Sequence, residues 1–95
     1  MKKLDLNFAF VGIDETPIVQ QGKELIAGEV IAGVLISEVK GDAIKYFDWA
    51  VSLNKRKVIE IDDSYFIKLK SLVSETEKLT ILLKAQLLKY FETLK

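Results

Sequence analysis

The residues best suited to chemistry are the carboxylates Glu60, Asp62 and Asp63, which lie within four consecutive positions. Carboxylates grouped in this way can hold a hard cation such as Mg²⁺, and a magnesium-dependent enzyme would use them as ligands. The same pattern is typical of a solvated strand face followed by a helix start, where acidic groups stabilise the positive end of the helix. We favour this second interpretation, because neither Lys57 nor Lys68 has a spacing that singles it out as a catalytic partner.

Two residue types that carry much of enzyme chemistry are absent from the sequence, since its 95 residues include no histidine and no cysteine. The chain therefore lacks the commonest general base near neutral pH and the commonest transition-metal ligand. It also lacks thiolate nucleophiles, disulfides and sulfur-ligated zinc sites. We predict that the protein is not an enzyme and that it has no catalytic residue, cofactor or metal site.

A basic cluster offers a different chemistry, the binding of phosphate groups in a nucleic acid. Its members are Lys55, Arg56 and Lys57, with Lys68 and Lys70 as additional candidates. Fourteen basic residues balance fourteen acidic ones across the chain, so no long-range field attracts a phosphate backbone. We therefore favour a solvated turn and keep a small nucleic-acid-binding regulator as the alternative.

Three aromatic residues, Tyr46, Phe47 and Trp49, lie close together in a predicted helix and cannot all face the same side. The apolar pattern places Phe47 on the inner face, so Tyr46 and Trp49 become candidates for anchoring a partner protein. Packing of these two rings against the core is the alternative, and it is the interpretation we favour.

These side chains must be positioned by a single domain over residues 1–95, because the chain is too short for two hydrophobic cores. The longest apolar-rich stretch, residues 25–36, falls short of the roughly 20 residues needed to cross a bilayer. The basic start of the chain meets Asp5 and Asn7 before any apolar run develops, which does not fit a secretion signal. We expect a cytoplasmic protein that does not bind membranes.

Three segments have the features of strands. Large apolar residues alternate with small or polar ones over residues 4–10, which predicts a strand with one buried face. Residues 17–20 predict a second, short strand beginning at a proline. Residues 58–61 are rich in β-branched side chains and predict a third strand.

Four segments have the features of helices. The apolar spacing predicts a first helix over residues 23–39, although Gly28 and Gly33 disfavour it, and the small residues there suggest a tight core. Asp42 and Asp62 are the expected N-caps of the second and third helices, which should end near residues 54 and 74. Ser74 and Glu77 form a predicted capping box for the last helix. The expected inner face of the second helix consists of Ile44, Phe47, Ala50 and Val51.

The predicted fold class is therefore α+β, with a small three-stranded sheet and about four helices in the order ββααβαα. This order contains no internal repeat. The sheet should carry helices on one side.

Several segments taken together resemble small phage and prophage proteins. The resemblance rests on the residues LDLNF at 4–8, GIDETP at 12–17, GDAIK at 41–45, DWA at 48–50 and the helix at 79–88. These motifs are structural and would span nearly the whole chain. The resemblance implies a phage-derived gene, and it assigns no activity and no functional residue.

We therefore expect a noncatalytic protein-protein interaction module, such as a prophage accessory or phage assembly factor. Its function would depend on a surface that binds a protein partner or a second copy of the chain. Nucleic acid is the less favoured partner. The motivating features are the high apolar fraction, 49% of residues, and the aromatic cluster of the second helix.

Overall fold

The computed structural model describes residues 2–94. These residues form four short strands and four helices in the order βββααβαα. The elements are β1 (Lys2–Leu4), β2 (Val19–Gln20), β3 (Lys23–Glu24), α1 (Ala27–Ile36), α2 (Ala43–Asn54), β4 (Ile59–Ile61), α3 (Asp63–Glu75) and α4 (Ile81–Glu92). The longest helix, α3, has 13 residues, so within residues 2–94 no helix reaches across a membrane.

The α+β class is confirmed, but the prediction of one three-stranded sheet is wrong. In the described residues β1 pairs only with β4, and β2 pairs only with β3; both pairs are antiparallel. In the first sheet Leu4 lies opposite Ile59, and Lys3 lies opposite Glu60. Residues 17–20 therefore do not belong to the sheet that contains the first strand and the strand at 58–61, although Pro17 forms an isolated antiparallel bridge to Val11.

A tight hairpin that the sequence patterns did not predict joins β2 to β3. The two residues between the strands, Gln21 and Gly22, have φ values of 52° and 78°. Positive φ at both positions matches the right-handed twist of a two-residue hairpin. The first helix consequently begins at Ala27, because residues 23 and 24 are extended and not helical.

The N-terminal segment, residues 4–10, runs through the centre of the molecule. Leu4, Leu6 and Phe10 are fully buried, as the alternating pattern predicts, and Phe8 is half-buried. Beyond Leu4 the segment leaves the sheet: its next carbonyls bond to the start of a helix, whereas the Phe10 carbonyl accepts from the Ile18 N–H at 2.9 Å. The Leu6 carbonyl accepts from the Gly28 N–H and that of Phe8 accepts from the Ala27 N–H, both at 2.9 Å.

Helix α1 begins without a side-chain cap, because Ile26 has no hydrogen-bonding group to offer. The N-terminal segment supplies the missing acceptors, since its carbonyls satisfy two of the free N–H groups that begin every helix. Gly28 makes this approach possible: a Cβ there would lie 3.3 Å from the carbonyl oxygens of both Leu6 and Leu53. The expected tight packing is therefore correct at Gly28, whereas Gly33 is exposed.

The predicted caps of α2 and α3 are confirmed. Asp42 accepts a hydrogen bond from the Lys45 N–H at 3.1 Å, and Asp62 accepts one from the Tyr65 N–H at 2.8 Å. Helix α2 ends at Asn54, as expected, and α3 ends one residue later than expected. In α3 Phe66, Leu69 and Val73 form the buried face that their spacing predicts.

The capping box predicted at the start of the last helix is wrong. Ser74 is still part of α3, so its backbone does not have the extended conformation that an N-cap needs. Thr76 ends that helix instead, and its hydroxyl accepts from the Lys78 N–H at 3.2 Å. Helix α4 starts after Thr80, and it buries Leu87 and Phe91.

The contrast between the two glycines of α1 gives a matched test of the packing. Gly28→Ala should destabilise the fold by about 1–2 kcal/mol, because the new methyl group presses on two backbone carbonyls. Gly33→Ala should stabilise it by up to about 1 kcal/mol, because alanine favours a helix and the site is open. Urea unfolding at low protein concentration measures both, and equal effects would contradict the close approach at Gly28.

Candidate functional site

Helix α2 faces the core with the side opposite to the one expected. Phe47, predicted to be buried, is 61% exposed, and Ile44 and Val51 are also exposed. Tyr46 and Trp49 are half-buried and pack against the core together with the buried residues of α2. The expected inner face was therefore wrong for three of its four members, and Ala50 alone is buried.

Tyr46 and Trp49, the candidates for partner anchoring, take part in an aromatic cluster within the chain. Their ring centroids lie 6.1 Å apart in a stacked arrangement, and the Trp49 ring meets Tyr65 of α3 edge-on at 5.3 Å. Gly41 leaves room for this packing, because a Cβ at its position would lie 2.7 Å from the Tyr46 ring. These contacts agree with the core-packing interpretation of both residues.

Exposed apolar side chains instead extend along the outer side of the first two helices, which we call the α1–α2 face. Its members and their exposed fractions are Ile36 (63%), Val39 (96%), Ile44 (76%), Phe47 (61%) and Val51 (37%). Burying one such side chain completely is worth about 2.5 kcal/mol at about 25 cal/mol per Å², which corresponds to about 100 Å² of apolar area. Scaled by their exposed fractions, the five side chains together expose on the order of 300 Å². This area is at the lower end of the roughly 300–600 Å² that the largest apolar patch of a typical monomer covers, and such patches are often functional.

A cleft of about 410 Å³ runs along this face between the two helices. Its floor contains the small residues Ala32, Gly33 and Ala50, and Phe47 and Val51 line it from α2. A smaller cavity of about 170 Å³ continues past Ile36 and Phe47 toward the turn between the helices. The face therefore combines projecting side chains with a depression that could receive them.

The five basic residues of the nucleic-acid alternative do not come together. Lys68 and Lys70 lie on α3, where their ammonium groups sit 4.9 Å from the Tyr65 ring centre and 5.6 Å from the Phe66 ring centre. Lys45 also covers the Tyr65 ring, at 4.3 Å, from the first turn of α2. Lys55 follows the last turn of the same helix, ten residues or about 15 Å farther along its axis. The cluster therefore separates into two groups.

The loop that contains Lys55, Arg56 and Lys57 has a structural role. Arg56 has a φ of 62°, in the left-handed region that non-glycine residues seldom adopt. Its carbonyl accepts a hydrogen bond from the Asn7 side-chain amide at 2.8 Å, which links the loop to the N-terminal segment. The three basic side chains are exposed, which agrees with the solvated turn favoured above.

The acidic group is divided between a strand and a helix start. Glu60 lies on the exposed side of β4 opposite Lys3, whereas Asp62 caps α3 and Asp63 lies in its first turn. Among residues 2–94 no group of three or more acidic, histidine or cysteine side chains is placed to hold a metal ion. The geometry fits the capping interpretation of these carboxylates.

The hydrogen bonds at the start of α3 favour the charged form of Asp62. The backbone N–H of Tyr65 lowers the pKa of Asp62 below its ordinary value of 3.8, and the Ser64 hydroxyl and the positive charge of Lys45 act in the same direction. Asp42, which caps α2, also accepts from the Tyr65 hydroxyl at 3.3 Å. The two helix starts therefore share one polar network around Tyr65.

No protein-family model, curated protein sequence or solved structure gives a significant match to this chain. The assignment of the α1–α2 face as the candidate functional site is therefore supported only by the geometry and chemistry of this chain.

Sequence reasoning missed Phe47 as the exposed aromatic residue, although a signal was present. Helix α2 has two apolar stripes at helical spacing, one containing Tyr46 and Trp49 and the other containing Ile44, Phe47 and Val51. A helix that packs on one side leaves one of two such stripes uncovered. The choice between them depends on tertiary packing, which the spacing does not contain.

The lowered pKa of Asp62 gives a test of the capping role. Its charged form is favoured by folding, so its contribution to stability is full above pH 3.8 and disappears as the pH falls through the lowered pKa. Asp62→Asn retains an acceptor without the charge, so its deficit relative to the native chain should shrink between pH 6 and pH 3. Asp62→Ala, which removes the acceptor as well, should be the less stable variant at pH 6.

Urea unfolding of the three proteins across that pH range measures these differences. A deficit of Asp62→Asn that stays constant down to pH 3 would contradict the assignment. Addition of Mg²⁺ should leave the unfolding midpoints unchanged.

Proposed function

We propose that this chain is a noncatalytic protein-protein interaction module that binds its partner through the α1–α2 face. The observation that carries this proposal is the exposure of Phe47 between Ile36 and Val51, beside an apolar cleft. Aromatic side chains next to a pocket are the usual anchors of protein interfaces. The apolar area exposed here would be covered when a partner binds.

The chemistry of the remaining side chains supports an interaction role over catalysis. The sequence contains no histidine and no cysteine. Asp42 and Asp62 both accept hydrogen bonds from Tyr65, and each carboxylate caps the start of a helix. The proposal therefore assigns function to a surface and not to a reactive group.

The biological setting that we propose is that of a cytoplasmic prophage accessory or phage assembly factor. It is supported by the resemblance of residues 4–8, 12–17, 41–45, 48–50 and 79–88 to small phage proteins. The alternative of a nucleic-acid-binding regulator has less support, because Lys68 of α3 shares the Tyr65 ring with Lys45 at the start of α2, whereas Lys55 follows the end of that helix. Lys45, Lys68 and Trp49 also surround the Tyr65 ring, which leaves it poorly placed to stack on a base.

Site-specific photocrosslinking in the native host tests the proposed function. A benzophenone amino acid in place of Phe47 should give protein adducts, because this position lies in the proposed interface. The same amino acid in place of Ile67 is the matched control, since Ile67 is 64% exposed but lies on α3. Denaturing gels and mass spectrometry identify what is attached.

Protein adducts at position 47 in excess of those at position 67 by about tenfold would support an interaction module. Equal yields at the two positions, or adducts only to nucleic acid, would overturn it.

A further inference from the structure

The α1–α2 face carries both a projection and a depression, which is the requirement for pairing with a copy of itself. Phe47 projects from α2, and the cleft beside it has Gly33 on its floor. A Cβ built at Gly33 meets no heavy atom within 4 Å among the described residues, so the floor is open. In an interface with two-fold symmetry the same patch must provide both the inserting group and its receptor.

The charges around the face permit such pairing. Glu29 and Lys55 lie at one end of the cleft, and Glu38 and Lys40 border the cavity at the other end. Glu38 also pairs with Lys78, whose ammonium lies 3.6 Å from its carboxylate. Both ends therefore contain acidic and basic groups, so a rotated copy does not bring only like charges together. The formal net charge of the whole chain is zero, so two copies do not repel each other over a distance.

The exposed area sets the expected strength of the pair. Interfaces are about 56–65% apolar, so on the order of 300 Å² of apolar area corresponds to about 500 Å² buried on each copy. The total of about 1,000 Å² is at the lower limit for a specific interface. A pair of this size should form at high concentration and dissociate on dilution.

We propose that two copies of this chain associate through their α1–α2 faces about a two-fold axis, with Phe47 of each copy inserted into the cleft over Gly33 of the other. This inference rests on the proposed function, because it names a second copy as the partner of the same face. An unrelated protein on this face is the competing occupant, which the experiment separates.

Sedimentation velocity of the purified chain from about 1 μM to about 1 mM tests the pairing. The native chain should shift from the mass of one copy to that of two as the concentration rises. Phe47→Glu should raise the dissociation constant at least about tenfold, because it would bury an unpaired carboxylate. Gly33→Leu should do the same by filling the receiving cleft, and Ile67→Glu, on α3, should leave the dissociation constant unchanged.

Circular dichroism of each variant shows that it retains the native fold, which Gly33→Leu should do because its site is open. A native chain that stays monomeric up to about 1 mM would overturn the pairing. So would a dimer that Phe47→Glu and Ile67→Glu affect equally.

The crosslinking described above distinguishes failure of the pairing from failure of the proposed function. Adducts at position 47 with the mass of two copies agree with self-association. Adducts to another protein, combined with a monomeric purified chain, overturn the pairing but support the interaction module. A monomeric chain without position-specific adducts would overturn both.

Discussion

The fold depends on the burial of the extended N-terminal segment, residues 4–10, between the helices. Its apolar side chains are fully or half buried, and its polar backbone groups bond to several elements at once. The Asp5 N–H donates to the Tyr90 hydroxyl at 2.8 Å. Gln86 of α4 forms a reciprocal pair with Val11, accepting from its N–H at 2.9 Å and donating to its carbonyl at 2.8 Å. Side chains of α4 thereby bond to the segment at Asp5 and to Val11, the residue after it, and the Phe10 N–H donates to the Leu25 carbonyl at 2.9 Å.

This arrangement explains why one side of the molecule stays apolar and exposed. Helix α1 is held at its start by the N-terminal segment, and Gly28 brings α2 against it. Helix α2 is in turn held to α3 by the contact of Trp49 with Tyr65. Both interactions lie on the inner side of α2, so the stripe containing Phe47 faces outward. The exposed face is therefore a consequence of packing, and the proposed interaction role depends on it.

Local signals predicted much of the fold, and the errors come from long-range contacts. The caps Asp42 and Asp62 and the buried faces of the N-terminal segment and α3 follow from neighbouring residues, so the sequence was sufficient for them. The separation into two sheets was not predictable in this way, because it depends on the carbonyls of Leu6 and Phe8 bonding to α1 instead of to a strand. The outward position of Phe47 was missed for the same reason, since α2 has two equivalent apolar stripes. The site therefore required the tertiary structure, whereas most of the elements did not.

The absence of native cysteine permits one direct measurement of the orientation of α2. Single variants Phe47→Cys and Leu53→Cys can be reacted with a maleimide at a concentration low enough to keep the chain monomeric. We predict that the thiol at position 47 reacts nearly as fast as one in an unfolded peptide, whereas the thiol at position 53 reacts only after unfolding. Slow reaction at position 47 together with fast reaction at position 53 would contradict the orientation and, with it, the exposed α1–α2 face.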